Sequence, residues 1–171
     1  NAHYMREADH NRLADSVCGI YQDRGLHSGE TVHNRLTAHM EELTSRSKNL
    51  IQLADDAEFY ALEPPFELDD AAVQKLTDTE ALAVLKRLRD ALAGLDPFDS
   101  AHIQSLCKDI AGELADGKMG RVGMPLRAAL TGTTSSPSVF TAAAVLGRDT
   151  CLQRIDHALQ KYDNSNIGKA Q

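Results

Sequence analysis

An all-α fold in two helical subdomains is what this sequence predicts, and three observations carry that expectation. Apolar residues recur at helical spacing along nearly the whole chain, no stretch sustains the alternation of a half-buried strand, and the pair Pro64-Pro65 interrupts the helical pattern. With 171 residues, 42% of them hydrophobic, the chain can bury a core without staples. The expected division is a first helical subdomain over residues 1–61, a second over 62–162 and a flexible, unpatterned tail over 163–171.

The elements follow in order. A first helix carries Leu13, Val17 and Ile20 and ends near Gly25, with a new start signal at Ser28 or Thr31. One long helix is expected from about Thr37 to Ala61, with Met40, Leu43, Leu50, Leu53, Ala54 and Ala57 on its apolar side, until Glu63-Pro64-Pro65 ends it. Asp69-Asp70 reads as a helix start. Thr77-Asp-Thr-Glu80 reads as a capping box before Leu82, Leu85, Leu88 and Leu92, with Gly94 as the stop. Ile103, Leu106, Cys107, Ile110 and Leu114 form one buried stripe behind a cap at Asp99 or Ser100, with Gly117 just past the end.

Cys18, Cys107 and Cys151 are far apart and odd in number, which points to a reducing, cytoplasmic setting with neither disulfide nor zinc. No apolar run approaches the length of a membrane helix, and no signal-peptide layout opens the chain. Because Asn1 is not a start methionine, a fragment of a longer protein is expected. The net charge of −7 argues against a generally nucleic-acid-binding surface, yet it hides a polarity. Between residues 117 and 155 stand Lys118, Arg121, Arg127, Arg148 and Arg154 against the single acid Asp149, so the negative charge lies elsewhere.

That basic segment holds the least helix-like part of the chain, GKMGRVGMPLRAALTGTTSSPSVF (117–140). Helical spacing resumes through Met119, Val122, Met124, Leu126 and Leu130, and Thr131 to Ser136 then reads as a loop. Ser136-Pro137 has the form of an N-cap followed by a first-turn proline. A helix start so placed, with hydroxyls and arginines around it, suits phosphates and base edges. The same pair also serves as an ordinary helix start with no ligand.

The run from Lys118 to Leu159, with its Pro-Leu-Arg-Ala-Ala-Leu-Thr-Gly, Ser-Pro, Val-Phe and Leu-Gly-Arg-Asp, strongly resembles the C-terminal end of bacterial glutamyl-tRNA synthetases. The opening Asn1-Ala-His-Tyr4-Met-Arg6 and the middle Ser45-Arg-Ser-Lys-Asn-Leu50 resemble the same family more loosely. The resemblance implies an all-α anticodon-binding region that reads the anticodon loop of tRNA-Glu. It implies that Arg127, Ser136, Pro137 and Val139 surround the first anticodon base. Arg46 then falls where the family places an arginine facing the third anticodon base, and arginine there suggests discrimination against tRNA-Gln. From charge alone, Lys118 and Arg121 are expected phosphate contacts.

The family's catalytic half, a Rossmann-like domain that uses ATP, Mg²⁺ and glutamate, is not found in these residues. No His-x-Gly-His-type motif occurs, and Lys118-Met119-Gly120-Arg121 lacks the Ser-Lys of an ATP loop. No catalytic residue and no cofactor is therefore assigned to this chain, which should not aminoacylate alone and would work beside its parent catalytic domain, without a membrane and as a monomer. His33 and His39, six residues apart, are read as solvated surface rather than metal ligands. The alternative from another class is a helical protein-interaction module without RNA binding, its arginines covering helix ends.

Overall fold

The structure, a computed structural model, describes residues 7–163, and among these every regular element is helical. The chain divides into two compact units, Asn1–Glu63 and Pro64–Gln171.

The first unit contains α1 (Glu7–Asp23), α2 (Glu30–Arg46), α3 (Leu50–Asp56) and a 3₁₀ turn over Glu58–Ala61. Gly25, at φ 74°, reverses the chain after α1. The helix expected from Thr37 to Ala61 is instead broken: α2 starts earlier, at Glu30, and stops at Arg46. The reason is local. Asn49 caps α3 by accepting from the Gln52 amide at 2.8 Å, and the Gln52 side chain accepts in return from the Lys48 amide at 2.9 Å. A side chain that satisfies orphan amides starts a new helix more favourably than it continues an old one. Val17, Tyr21, Leu36, Met40, Leu43 and Ala54 fill the core. Tyr21 donates to the Ala54 carbonyl at 2.8 Å, and burial, aided by the Glu58 carboxylate, pushes its phenol pKa well up, so it remains a donor.

The second unit is built on α5 (Thr79–Ala93), which packs against α6 (Ser100–Leu114), α7 (Gly120–Thr131) and α9 (Arg148–Tyr162); α4 (Asp70–Lys75) lies on α7, and α8 (Val139–Leu146) on α6. Leu85, Leu88, Leu92, Ile103, Ile110, Leu126 and Ile155 form the core. Asp69 and Asp99 cap α4 and α6 by accepting from Ala72 and His102 amides at 2.8 Å. The cap of α5 is Asp78, not Thr77: the Asp78 carboxylate accepts from the Glu80 amide at 2.9 Å, while the Thr77 hydroxyl donates back to the Gln74 carbonyl at 3.0 Å. Leu114 ends the α6 stripe 43% exposed. Gly147 serves both as the end of α8 and the start of α9 at φ 86°, ψ 162°, a region essentially closed to side-chain-bearing residues.

Of the expected tail, Asp163 is buried and pairs with Lys86 at 2.7 Å, while residues 164–171 lie outside the described range. The Asn1–Arg6 motif likewise lies outside it. No helix among the described residues is long and apolar enough to cross a membrane.

Candidate nucleic-acid interface

The glycine-rich stretch folds into α7, a loop and the start of α8. Gly132 ends α7 in the left-handed region at φ 74°, where its amide bonds back to Ala128 at 2.9 Å. Its carbonyl accepts from the Asp69 amide at 2.9 Å, and a Cβ at this position would sit 3.3 Å from the Glu67 carbonyl oxygen. Glycine is therefore required both by φ and by the close approach of the segment from Phe66 to Asp69.

Within the loop the hydroxyls bond inward. Thr131 donates to the Arg127 carbonyl at 2.8 Å, Thr133 to the Ser135 carbonyl at 3.0 Å, and Ser136 to the Pro137 carbonyl at 2.9 Å. Ser136 is thus not the cap of α8. That position belongs to Ser138, whose hydroxyl accepts from the Thr141 amide at 3.4 Å, two residues later than the Ser-Pro signal indicates. The Ser136 hydroxyl is occupied instead by Arg127, whose Nε donates to it at 3.0 Å. Ser136, Pro137 and Val139 are buried, so what they offer a ligand is a fixed backbone contour beside the part-buried Arg127 guanidinium.

Arg127 also lies 3.6 Å from the sulfur of Met124, and Met124 lines an open cleft of about 600 Å³ with Pro125, Lys75, Lys118 and Arg121. Lys118 and Arg121 are exposed at its rim, where Arg121 meets Glu80 at 3.5 Å. Lys75, in the last turn of α4, joins the cleft although its sequence context gives no hint of this; only the packing of α4 on α7 brings it there. The lining combines an apolar floor with three cations and two acidic residues, Asp78 and Glu80, so stacking of a base and cationic contact to a phosphate are both available there.

Two arginines of the basic segment face the other way. Arg154 is 1% exposed, donates to the Leu130 carbonyl at 2.6 Å and lies 5.1 Å over the Phe66 ring. Arg148 bonds the Leu95 carbonyl and packs 5.3 Å over Phe98. Both hold helix ends and loops together. Half-buried aromatic rings, Phe66 and Phe98, and the carbonyls of Leu130 and Leu95 draw them inward, a preference that a count of charges does not see.

In the first unit Arg46 occupies the last turn of α2, 38% exposed, with Nη1 3.8 Å from Glu42. His39, expected on the surface, is 2% exposed, between Tyr60 at 2.5 Å and Glu42 at 2.8 Å. His33 is half-buried and contacts Asp15 at 3.0 Å. Among the described residues no group of three or more His, Cys, Asp or Glu side chains could hold a metal ion.

The class these features define is an all-helical module presenting held guanidinium groups and a cleft lined by cations and acids over an apolar floor. The model of the family described as the anticodon binding domain matches residues 11–159, and the chain belongs to that family. It is 40% identical over 162 residues to glutamate–tRNA ligase 2 of Zymomonas mobilis, covering 93% of this chain and 33% of that protein. To glutamate–tRNA ligase 2 of Rhodospirillum centenum it is 40% identical over 159 residues, covering 92% of this chain and 34% of the relative. The chain thus spans about a third of the length of these curated relatives. The fold is similar to that in the crystal structure of a glutamate tRNA ligase from Elizabethkingia meningosepticum in complex with its amino acid, with a TM-score of 0.70 and 22% identity over 90% of this chain and 30% of that one.

Proposed function

We propose that this chain is the anticodon-reading part of a glutamate–tRNA ligase, selecting tRNA-Glu in the cytoplasm as part of a monomeric enzyme whose remaining length holds the chemistry. The observation that carries the reading is the pairing of Arg127 with Ser136. A guanidinium whose Nε is fixed at 3.0 Å keeps a planar face in one orientation without a further entropic loss on binding. Splayed single-stranded bases are read by such planes and by backbone groups at their edges.

In this reading Arg127, with the backbone of Ser136, Pro137 and Val139, receives the first anticodon base, and Arg46 faces the third. Lys118 and Arg121 neutralise phosphates, and Lys75 and Met124 extend the same surface. Binding energy spent on the correct anticodon favours the cognate tRNA. The ATP, Mg²⁺ and glutamate used by a glutamate–tRNA ligase would be handled by the rest of the enzyme, and this chain alone would not aminoacylate. None of the comparisons favours a protein-interaction module without RNA binding.

Chemical footprinting of tRNA-Glu by the chain tests this. Protection should appear on the anticodon loop bases and nearby phosphates and be lost in Arg127→Ala. Protection spread evenly over the stems, or unchanged in that variant, would refute it.

A further inference from the structure

Arg46 ends α2, the kind of position where a long side chain samples many rotamers, yet it leads into a relay of contacts that reaches the core. Its Nη1 lies 3.8 Å from one oxygen of Glu42, a turn earlier on the same helix. The other oxygen of Glu42 is 2.8 Å from Nε2 of His39, whose Nδ1 is 2.5 Å from the Tyr60 hydroxyl. His39 is buried and meets Tyr60 edge to face, with ring centroids 5.8 Å apart.

The roles in this relay follow from chemistry. An ionised carboxylate only accepts, so His39 donates from Nε2, and Nδ1 of the neutral ring then accepts from the Tyr60 hydroxyl. Tyr60 belongs to the 3₁₀ turn after α3, and its carbonyl accepts from Arg35 of α2 at 3.0 Å, so the buried end of the relay is held to α2 a second time. The bond to His39 restrains the Glu42 carboxylate through one oxygen. The carboxylate presents its other oxygen beside the guanidinium.

We infer that Glu42, locked by His39 and Tyr60, is a positioning residue for Arg46 and thereby a determinant of discrimination at the third anticodon base. The inference rests on the proposed role of Arg46. A guanidinium confined before binding loses less rotamer freedom when it meets the correct base, and that advantage applies only where the base pairs well with it. Glu42 also repels phosphates. Removing it should therefore strengthen or preserve overall RNA affinity while weakening the choice between bases, two effects of opposite sign that a loss of folding cannot imitate.

The test measures the ratio of dissociation constants for two anticodon stem-loops that differ only at the third anticodon base, cytosine as in tRNA-Glu or guanine as in tRNA-Gln. It compares the unaltered chain with Glu42→Ala, Glu42→Gln, Arg46→Ala and the control Glu41→Ala, which removes the same charge from an exposed neighbouring position. The ratio should fall by about twofold to twelvefold in both Glu42 variants, corresponding to one long side chain released, and should not move in Glu41→Ala. Melting curves confirm folding, and Glu42→Gln, which keeps an acceptor for His39, serves if the alanine variant does not fold. A ratio that falls in Arg46→Ala but not in either Glu42 variant overturns the positioning role and leaves Arg46 as the reader. A ratio untouched by Arg46→Ala overturns the role of Arg46, and the inference with it.

Discussion

Truncating Arg127 and Ser136, singly and together, tests whether the loop before α8 works as one unit. Arg127→Ala removes a stacking plane and should weaken binding of the tRNA-Glu anticodon stem-loop by about 1–3 kcal/mol, or about five- to 150-fold. Ser136→Ala touches no base in the proposed arrangement. It removes the acceptor 3.0 Å from Arg127 Nε and the donor 2.9 Å from the Pro137 carbonyl. Two groups in a nearly closed environment lose a partner, so stability should drop by about 1–3 kcal/mol. The released guanidinium should lower affinity by about 0.5–1.5 kcal/mol, the cost of ordering one long side chain on binding. Because that loss acts only through Arg127, the double variant should bind no worse than Arg127→Ala alone. Fluorescence titration of a labelled stem-loop, at a temperature where melting curves show every variant folded, gives the four affinities. Losses that add, or a Ser136→Ala variant with unchanged affinity, would refute the coupling.

Other outcomes follow from the same structure. Arg121→Ala should weaken all RNAs alike and lower the slope of log affinity against log salt by about 1, as for a phosphate contact, and a sequence-dependent loss would contradict that assignment. Arg154→Ala empties a buried site and leaves the Leu130 carbonyl, 2.6 Å away, without this donor; stability should fall by about 3–5 kcal/mol in denaturant titration, while the affinity of the folded protein for RNA is unchanged. Gly147→Ala, forced to φ 86° and ψ 162°, should destabilise by about 1–3 kcal/mol, and a melting temperature equal to that of the unaltered chain would show that the α8–α9 junction relaxes. Cys107, whose thiol burial pushes up to about 12, should stay unmodified by alkylating reagents at pH 8 in the folded protein and react only on unfolding.

The helices whose limits are set by nearby side chains are the ones the sequence makes legible. Asp99 and Gly94 mark α6 and α5 because a carboxylate cap and a glycine stop act within a few residues. The break between α2 and α3 escapes the same reading, because Leu43, Leu50 and Leu53 keep helical spacing across it and only the Asn49 cap, with the Gln52 side chain accepting from the Lys48 amide, interrupts the backbone. At the candidate site, Ser-Pro reads as a cap at Ser136, whereas tertiary contact with Arg127 takes that hydroxyl and leaves the cap to Ser138. Charge counting treats Arg148 and Arg154 as equal to Arg121 and Arg127. Phe98, Phe66 and the carbonyls they adjoin, remote in sequence, turn the first two inward. His39 is hidden for the same reason, since nothing near it in the chain announces the Tyr60 hydroxyl.

The central claim, that this chain selects an RNA by its anticodon, is met most directly by titrating it with tRNA-Glu, tRNA-Gln and a tRNA-Glu carrying the tRNA-Gln anticodon, at two salt concentrations. Contacts to phosphates alone give affinity that ignores sequence and collapses as salt rises. The structure predicts that preference follows the anticodon rather than the tRNA body, and that it survives the higher salt. Equal affinity for all three RNAs, vanishing together as salt increases, would contradict it.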